Sequence, residues 1–191
     1  MRLHYHWFLL SLLLSFLVAG CATTPEAKGP DAGHQAAAKR FLHSWGAGEL
    51  TYEAFQRIHV ERVKEQPPAM AEVVQRIFAD ITPEVFEDLA AEVYARHLGR
   101  THLTDLAQFT ESPTGNRFFR RVVGSVMSGK TVNGSTLMQE FDADELTEIM
   151  KFAQSEAFLA LRQALPTINR ELAEAGRRFG EERLREYLDR Q

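Results

Sequence analysis

Phe109-Thr110-Glu111-Ser112-Pro113-Thr114-Gly115 is the stretch on which the fold turns. Apolar residues at helical spacing lead into it and another helical pattern leads away. Proline disfavours the right-handed helical region for the residue before it, so a helix reaching Phe109 cannot run smoothly through Ser112. Proline is nevertheless well placed at the first position of a new helix, and a serine just before it can cap that helix. The spacing therefore predicts a stop and an immediate restart, with Ser112 as cap and Pro113 as first residue. Gly115 in the new first turn lowers helix propensity, which points to a close backbone neighbour or a bent entry.

The run Leu106-Ala107-Gln108-Phe109-Thr110-Glu111-Ser112-Pro113-Thr114-Gly115 resembles the hallmark of domain-of-unknown-function family 2059, a group of exported bacterial proteins. The resemblance covers roughly residues 80–172, with Phe109, Ser112, Pro113 and Gly115 in register and Thr110 where a second aromatic, usually tyrosine, is expected. It implies an all-helical domain with no assigned activity.

An internal repeat supports the same class. Leu103–Ser112 aligns with Leu146–Ser155 at an offset of 43, all but three positions matching in identity, charge or polarity. Two copies make a pair of helical hairpins sharing a core rather than a solenoid. The second copy has Ser155-Glu156-Ala157-Phe158 in place of Ser-Pro-x-Gly, so its helix is expected to continue with only a kink.

At the start of the chain, Arg2 precedes the apolar run Trp7–Ala19. That run is too short to cross a bilayer comfortably, for which about 20 apolar residues are needed. A charged start, a short apolar stretch and small residues describe a removable export signal over 1–20. Val18-Ala19-Gly20-Cys21 resembles the lipobox of bacterial lipoproteins, which implies acylation of Cys21 on sulfur and on its new amine. Several acyl chains anchor stably where one binds only reversibly. Ala22, rather than aspartate, follows the cysteine; by analogy with lipoprotein sorting this favours the outer membrane, facing the periplasm.

Cys21 is the only cysteine, so once lipidated it leaves no disulfide, thiol nucleophile or thiolate metal site. Loss of residues 1–20 leaves 21 basic against 26 acidic side chains, a formal charge of −5. Such a balance disfavours nucleic acid as a partner. Residues 21–33 read as the anchor and a linker, whose 12 residues after Cys21 would reach about 40 Å fully extended.

Residues 34–191 suit one all-helical domain of about six to eight helices. The first is expected over 34–46, ending at Gly46 and Gly48, with Phe41, Leu42 and Trp45 on one face, and the second from Thr51 to the Pro67-Pro68 pair. Met70, Val73, Val74, Ile77, Phe78 and Ile81 form the clearest amphipathic stripe and read as core, a groove for a partner helix being the alternative. Thr82-Pro83 repeats the cap-and-proline start and opens a helix to about Gly99. Phe118, Phe119, Val122, Val123, Val126 and Met127 form a further stripe; 128–135 reads as a loop; Asp142 and Glu145 make a capping box. Pro166 is expected to kink or restart the final segment, whose tail from 177 reads as a solvated helix.

The chemical motifs are weak. Gly124–Thr131 fits G-x-x-x-x-G-K-[ST], but a phosphate-binding loop needs a strand before it and a helix starting at its Lys-Thr. His34, His43, His59, His97 and His102 include no pair at i, i+4 for a metal. Ser112 with His97 or His102 and Asp105 lacks a nucleophile motif, and Ser112 is explained as a cap. Asp142, Asp144 and Glu145, and Glu87 and Asp88, are read as first-turn carboxylates favoured by the helix dipole. No catalytic residue, cofactor or metal is assigned. The leading expectation is a non-catalytic binding or scaffold module with an envelope protein partner. Two others are a carrier of a hydrophobic ligand in an inter-helix cavity lined by Phe109, Phe118, Phe119 and Phe152, and, less favoured, an envelope hydrolase. A cavity of about 300 Å³ or more would mark the carrier, converging polar groups the hydrolase, and a filled core with exposed apolar surface the binding module.

Overall fold

Asp31 starts the first helix by accepting the His34 amide at 2.8 Å, within the stretch expected to be linker. The computed structural model describes residues 30–127 and 133–190, and among these the chain forms helices and no strand. The export signal, Cys21 and most of the linker lie outside the described residues. In order, the helices are α1 (Ala32–Ser44), α2 (Ala47–Lys64), α3 (Pro68–Ile77), α4 (Pro83–His97), α5 (Arg100–Glu111), α6 (Pro113–Met127), α7 (Gly134–Met138), α8 (Ala143–Ala153) and α9 (Glu156–Asp189). The fold is all-α, as expected, and nine helices are described where about six to eight were expected. Part of the difference is short α7, in what reads as loop, where the Asn133 side chain accepts the Ser135 and Thr136 amides.

Two boundaries differ from expectation. α2 begins at Ala47, four residues before Thr51, and so takes in Gly48. A Cβ on Gly48 would stand 2.6 Å from the Pro83 carbonyl oxygen, so this glycine lets the start of α4 lie against α2 rather than ending a helix. Gly46, by contrast, has φ +73°, a left-handed conformation suited to glycine at a helix end. Pro166 neither breaks nor restarts α9, which runs on for 34 residues.

The core is built around α1 and α5. α1 packs on both α5 and α4, and α9 lies along α4 and α5. Phe41, Leu42, Leu103, Leu106, Val93, Ile149 and Ile168 are almost fully excluded from water. The expected stripe of α3 fares differently: Ile77 and Ile81 are buried, but Met70 is 51% exposed. The helix ends at Ile77, so Phe78 and Ile81 leave its periodicity, and α3 packs mainly on α2 and α9. Val126, in the α6 stripe, is likewise 61% exposed.

Thr110 is fully buried and pairs with Ser44 of α1 at 2.5 Å between hydroxyl oxygens. Thr110 is also within donating distance of the Leu106 carbonyl at 2.9 Å, and Ser44 of the Phe41 carbonyl at 2.6 Å. One hydroxyl donates to the other, which donates back into its own helix. A buried polar group stripped of its partner loses about 1 kcal/mol or more. Thr110→Val, which keeps the shape, should therefore cost about 1 kcal/mol in urea unfolding; an unchanged midpoint would show that the bridge between α1 and α5 contributes nothing.

Candidate functional site

The break at Ser112 has the predicted form. Ser112 is extended (φ −70°, ψ 150°), and its Oγ accepts the Gly115 amide at 3.0 Å. Its carbonyl accepts from Asn116 at 2.9 Å. A Cβ on Gly115 would lie 2.6 Å from the Phe109 carbonyl carbon, the close backbone neighbour that the glycine implied.

The second copy corrects an expectation. Ser155 does not let a helix continue; it caps α9 with φ −71° and ψ 151°, and its Oγ accepts the Phe158 amide at 3.2 Å. The two hairpins, α5–α6 and α8–α9, thus share one cap geometry. They meet at equivalent residues, because the Phe109 and Phe152 rings stack with centroids 3.7 Å apart and planes 5° from parallel. Across the same junction the Ser112 hydroxyl donates to Glu148 Oε1 at 2.6 Å. α5 packs on α9 and α8 on α6, the crossed pairing of a pseudo-two-fold arrangement.

The phenylalanines that could have lined a cavity are packed on one another. Phe119 meets Phe109 and Phe152 edge-on at 6.3 and 6.0 Å, and Phe118 meets Phe119 and Phe141 at 6.0 and 6.1 Å. Open apolar space occurs instead beside α3. One cleft, of about 440 Å³, lies between Met70, Val73 and Ile77 of α3 and Gly180 and Leu184 of α9. The other, about 420 Å³, lies between Val74 and Phe78 and the α2 residues Phe55, Ile58, His59 and Val63. In the second, His59 stacks on Phe55 at 5.3 Å and meets Phe78 edge-on at 5.5 Å.

Several ionisable groups have local partners. His34 Nε2 lies 2.6 Å from the Leu98 carbonyl, donating to it, and His43 Nδ1 lies 3.2 Å from Glu87. Glu87 and Asp88 fall in the second turn of α4, not the first, and face α1, where Asp88 pairs with Lys39 at 2.5 Å. Asp142 and Glu145 form the capping box, and Glu145 also meets Arg117 at 2.5 Å. Thr82 takes the expected cap position of α4, but its hydroxyl makes no capping bond to the helix backbone. Among the described residues no group of three His, Cys, Asp or Glu side chains is placed to hold a metal ion. Burial pushes the Tyr94 phenol up to about 12, so at neutral pH it offers no phenolate. Of the phosphate-loop pattern, Gly124–Met127 belong to helix α6, so no strand feeds it; Ser128–Thr131 lie outside the described residues. Ser112 is held as a cap, its Oγ accepting the Gly115 amide while its hydroxyl donates to the Glu148 carboxylate.

One cluster gathers several charges between two helices. Glu171 of α9 meets Arg96 at 3.1 Å and His97 at 2.9 Å, both on α4, and Arg96 also meets Glu92 at 2.7 Å. The Arg96 hydrogen bonds, with His97 adding to them, hold the Glu171 carboxyl below the usual carboxylate range. A carboxylate depressed in the folded state stabilises fully above its unfolded value, about 4.3, and that contribution is lost as pH falls through the folded value. Glu171→Gln should accordingly flatten the dependence of stability on pH over the acid range below about 5; equal slopes for variant and parent would show that this contact does not couple to protonation.

Compared with family models, with curated proteins and with solved structures, the chain matches none. Among the described residues no helix is long and apolar enough to cross a membrane.

Proposed function

We propose that the protein is a non-catalytic binding or scaffold module of the bacterial cell envelope, held at the outer membrane by acylated Cys21 and facing the periplasm. It belongs, on this reading, with domain-of-unknown-function family 2059, through the helical break at Ser112-Pro113-Gly115, and works as one domain from about residue 34. The observation that supports a binding role is the division of apolar side chains: Phe109, Phe118, Phe119 and Phe152 fill the interior against each other, while Met70, Met150 and Leu188 are each more than half exposed. Contiguous exposed apolar surface marks interaction sites, and the cleft that joins Met70 of α3 to Leu184 of α9 is of that kind.

Intact-mass spectrometry of the protein extracted from membranes tests the anchor. The mature chain should begin at Cys21 and carry the added mass of acyl chains, and Cys21→Ala should appear in the soluble fraction without it. An unmodified cysteine would remove both the lipoprotein assignment and the outer-membrane location.

Carriage of a hydrophobic ligand is the second reading, and the clefts beside α3 favour it. Their volumes fall in the range of small-molecule sites. A small apolar molecule retained in native mass spectra, and lost on Val74→Asp, would shift the assignment to a carrier.

A further inference from the structure

The offset of 43 continues beyond the matched decapeptides, and it relates a covered face to a bare one. In the first unit α1 lies on α4 and α5. Beneath it Ala107 and Thr110 are fully buried, and Asn116 Nδ2 donates to the Ser44 carbonyl. Forty-three residues on stand Met150, 58% exposed, Ala153, also exposed, and Leu159, 37% exposed. The seat of α1, which bonds to it through Thr110 and Asn116, thus has a counterpart that is apolar at those two positions, with no described helix playing the part of α1.

We infer that the face formed by Met150, Ala153 and Leu159 is a docking site for an amphipathic helix of another protein, bound as α1 is bound on α5. This deepens the binding-module reading and rests on it. The partner's chemistry follows from the substitutions between the two seats. Where α1 sets Ser44 against Thr110 and Asn116, the second seat offers Ala153 and Leu159, so the visiting helix presents an apolar residue there. Where α1 sets Arg40 against Glu111 through two hydrogen bonds of 2.6 Å, the second seat has Gln154. One turn before it, exposed Lys151 replaces Gln108 and makes no ion pair with the described residues. The lip of the seat has lost an acid and gained a cation, which fits a helix with a carboxylate where α1 carries arginine. Helix-in-groove recognition with anchors at i, i+3, i+4 and i+7 is an established mode, and flexible methionines suit such surfaces.

The probe is a fluorescein-labelled peptide of residues 31–46 carrying Arg40→Glu and Ser44→Ala, titrated against the full chain in detergent and read by fluorescence anisotropy. We expect saturable binding at least tenfold tighter than that of the unaltered 31–46 peptide. Met150→Glu and Leu159→Glu, both at exposed positions, should each weaken it at least tenfold, and Lys151→Glu, which leaves the apolar face intact, should weaken it as well. Unchanged circular-dichroism melts would show that these variants are folded. Absence of saturable binding overturns the inference, as does binding that these substitutions leave unchanged, which would mean exchange with α1 in its own seat. A full chain already dimeric by sedimentation, and made monomeric by Met150→Glu, would assign the face to a second copy and overturn it too. None of these outcomes depends on Cys21, so the anchor stands or falls separately.

Discussion

Gly115→Ala should destabilise the protein by about 3 kcal/mol or more, at the upper end of what overpacking usually costs. The added Cβ would meet the Phe109 carbonyl group, with the carbon at 2.6 Å. That group is backbone at the end of α5, so it cannot swing aside as a side chain could. Relief requires α6 to tilt away from α5, which would pull Phe119 from Phe109 and strain the Asn116 bond to Ser44. The second copy shows that the cap alone does not demand glycine: Ser155 has the same backbone angles with Phe158 in the corresponding place. The requirement lies in the close approach of Phe109. Ser112→Ala, which removes the cap but adds nothing to the crossing, should cost only about 1 kcal/mol. Urea unfolding of the two variants separates these effects, and a Gly115→Ala loss no larger than that of Ser112→Ala would refute the account.

Phe152→Ala should cost about 3–5 kcal/mol, the usual range for truncating a buried phenylalanine. Phe152 is 8% exposed and touches Phe109, Phe119 and Phe158, so its removal opens space at the meeting point of both hairpins. Phe109→Ala should cost a similar amount. The two losses should not add, because the stacked rings are each other's neighbours; a coupling of about 0.5–1.5 kcal/mol is expected for an aromatic pair. Against a typical total stability of about 5–15 kcal/mol, the double variant should be largely unfolded near the lower bound. A double-mutant cycle with no coupling would show that the stack adds nothing beyond buried area.

What could be read in the sequence was mainly local. Ser112, Pro113 and Gly115 announced their break, and Asp142 with Glu145 their cap, because capping depends on a few adjacent atoms. Ser155 was legible only as a kink, since serine without a following proline offers a cap without enforcing one; its bond to the Phe158 amide completes the break. Pro166 restarts nothing: the helix assignment runs through it, and the residue is itself exposed. The α3 stripe shows the larger limit. Periodicity reveals which face of a helix is apolar, but whether another element covers that face depends on where distant segments lie. Met150 and Leu159 carried no signal by themselves. Only the repeat, read together with the position of α1, sets them beside Ala107 and Asn116.

The placement of α9 bears on when this chain can finish folding. This helix touches α3, α4, α5 and α8, and Arg183 near its end pairs with Asp80. Contacts between segments so far apart in sequence slow folding more than they weaken the folded state. Whatever the earlier helices form among themselves, the bundle has no closing side until α9 has reached partners that lie far before it in sequence. Loss of α9 would leave α3, α4, α5 and α8 each without one of its packing partners.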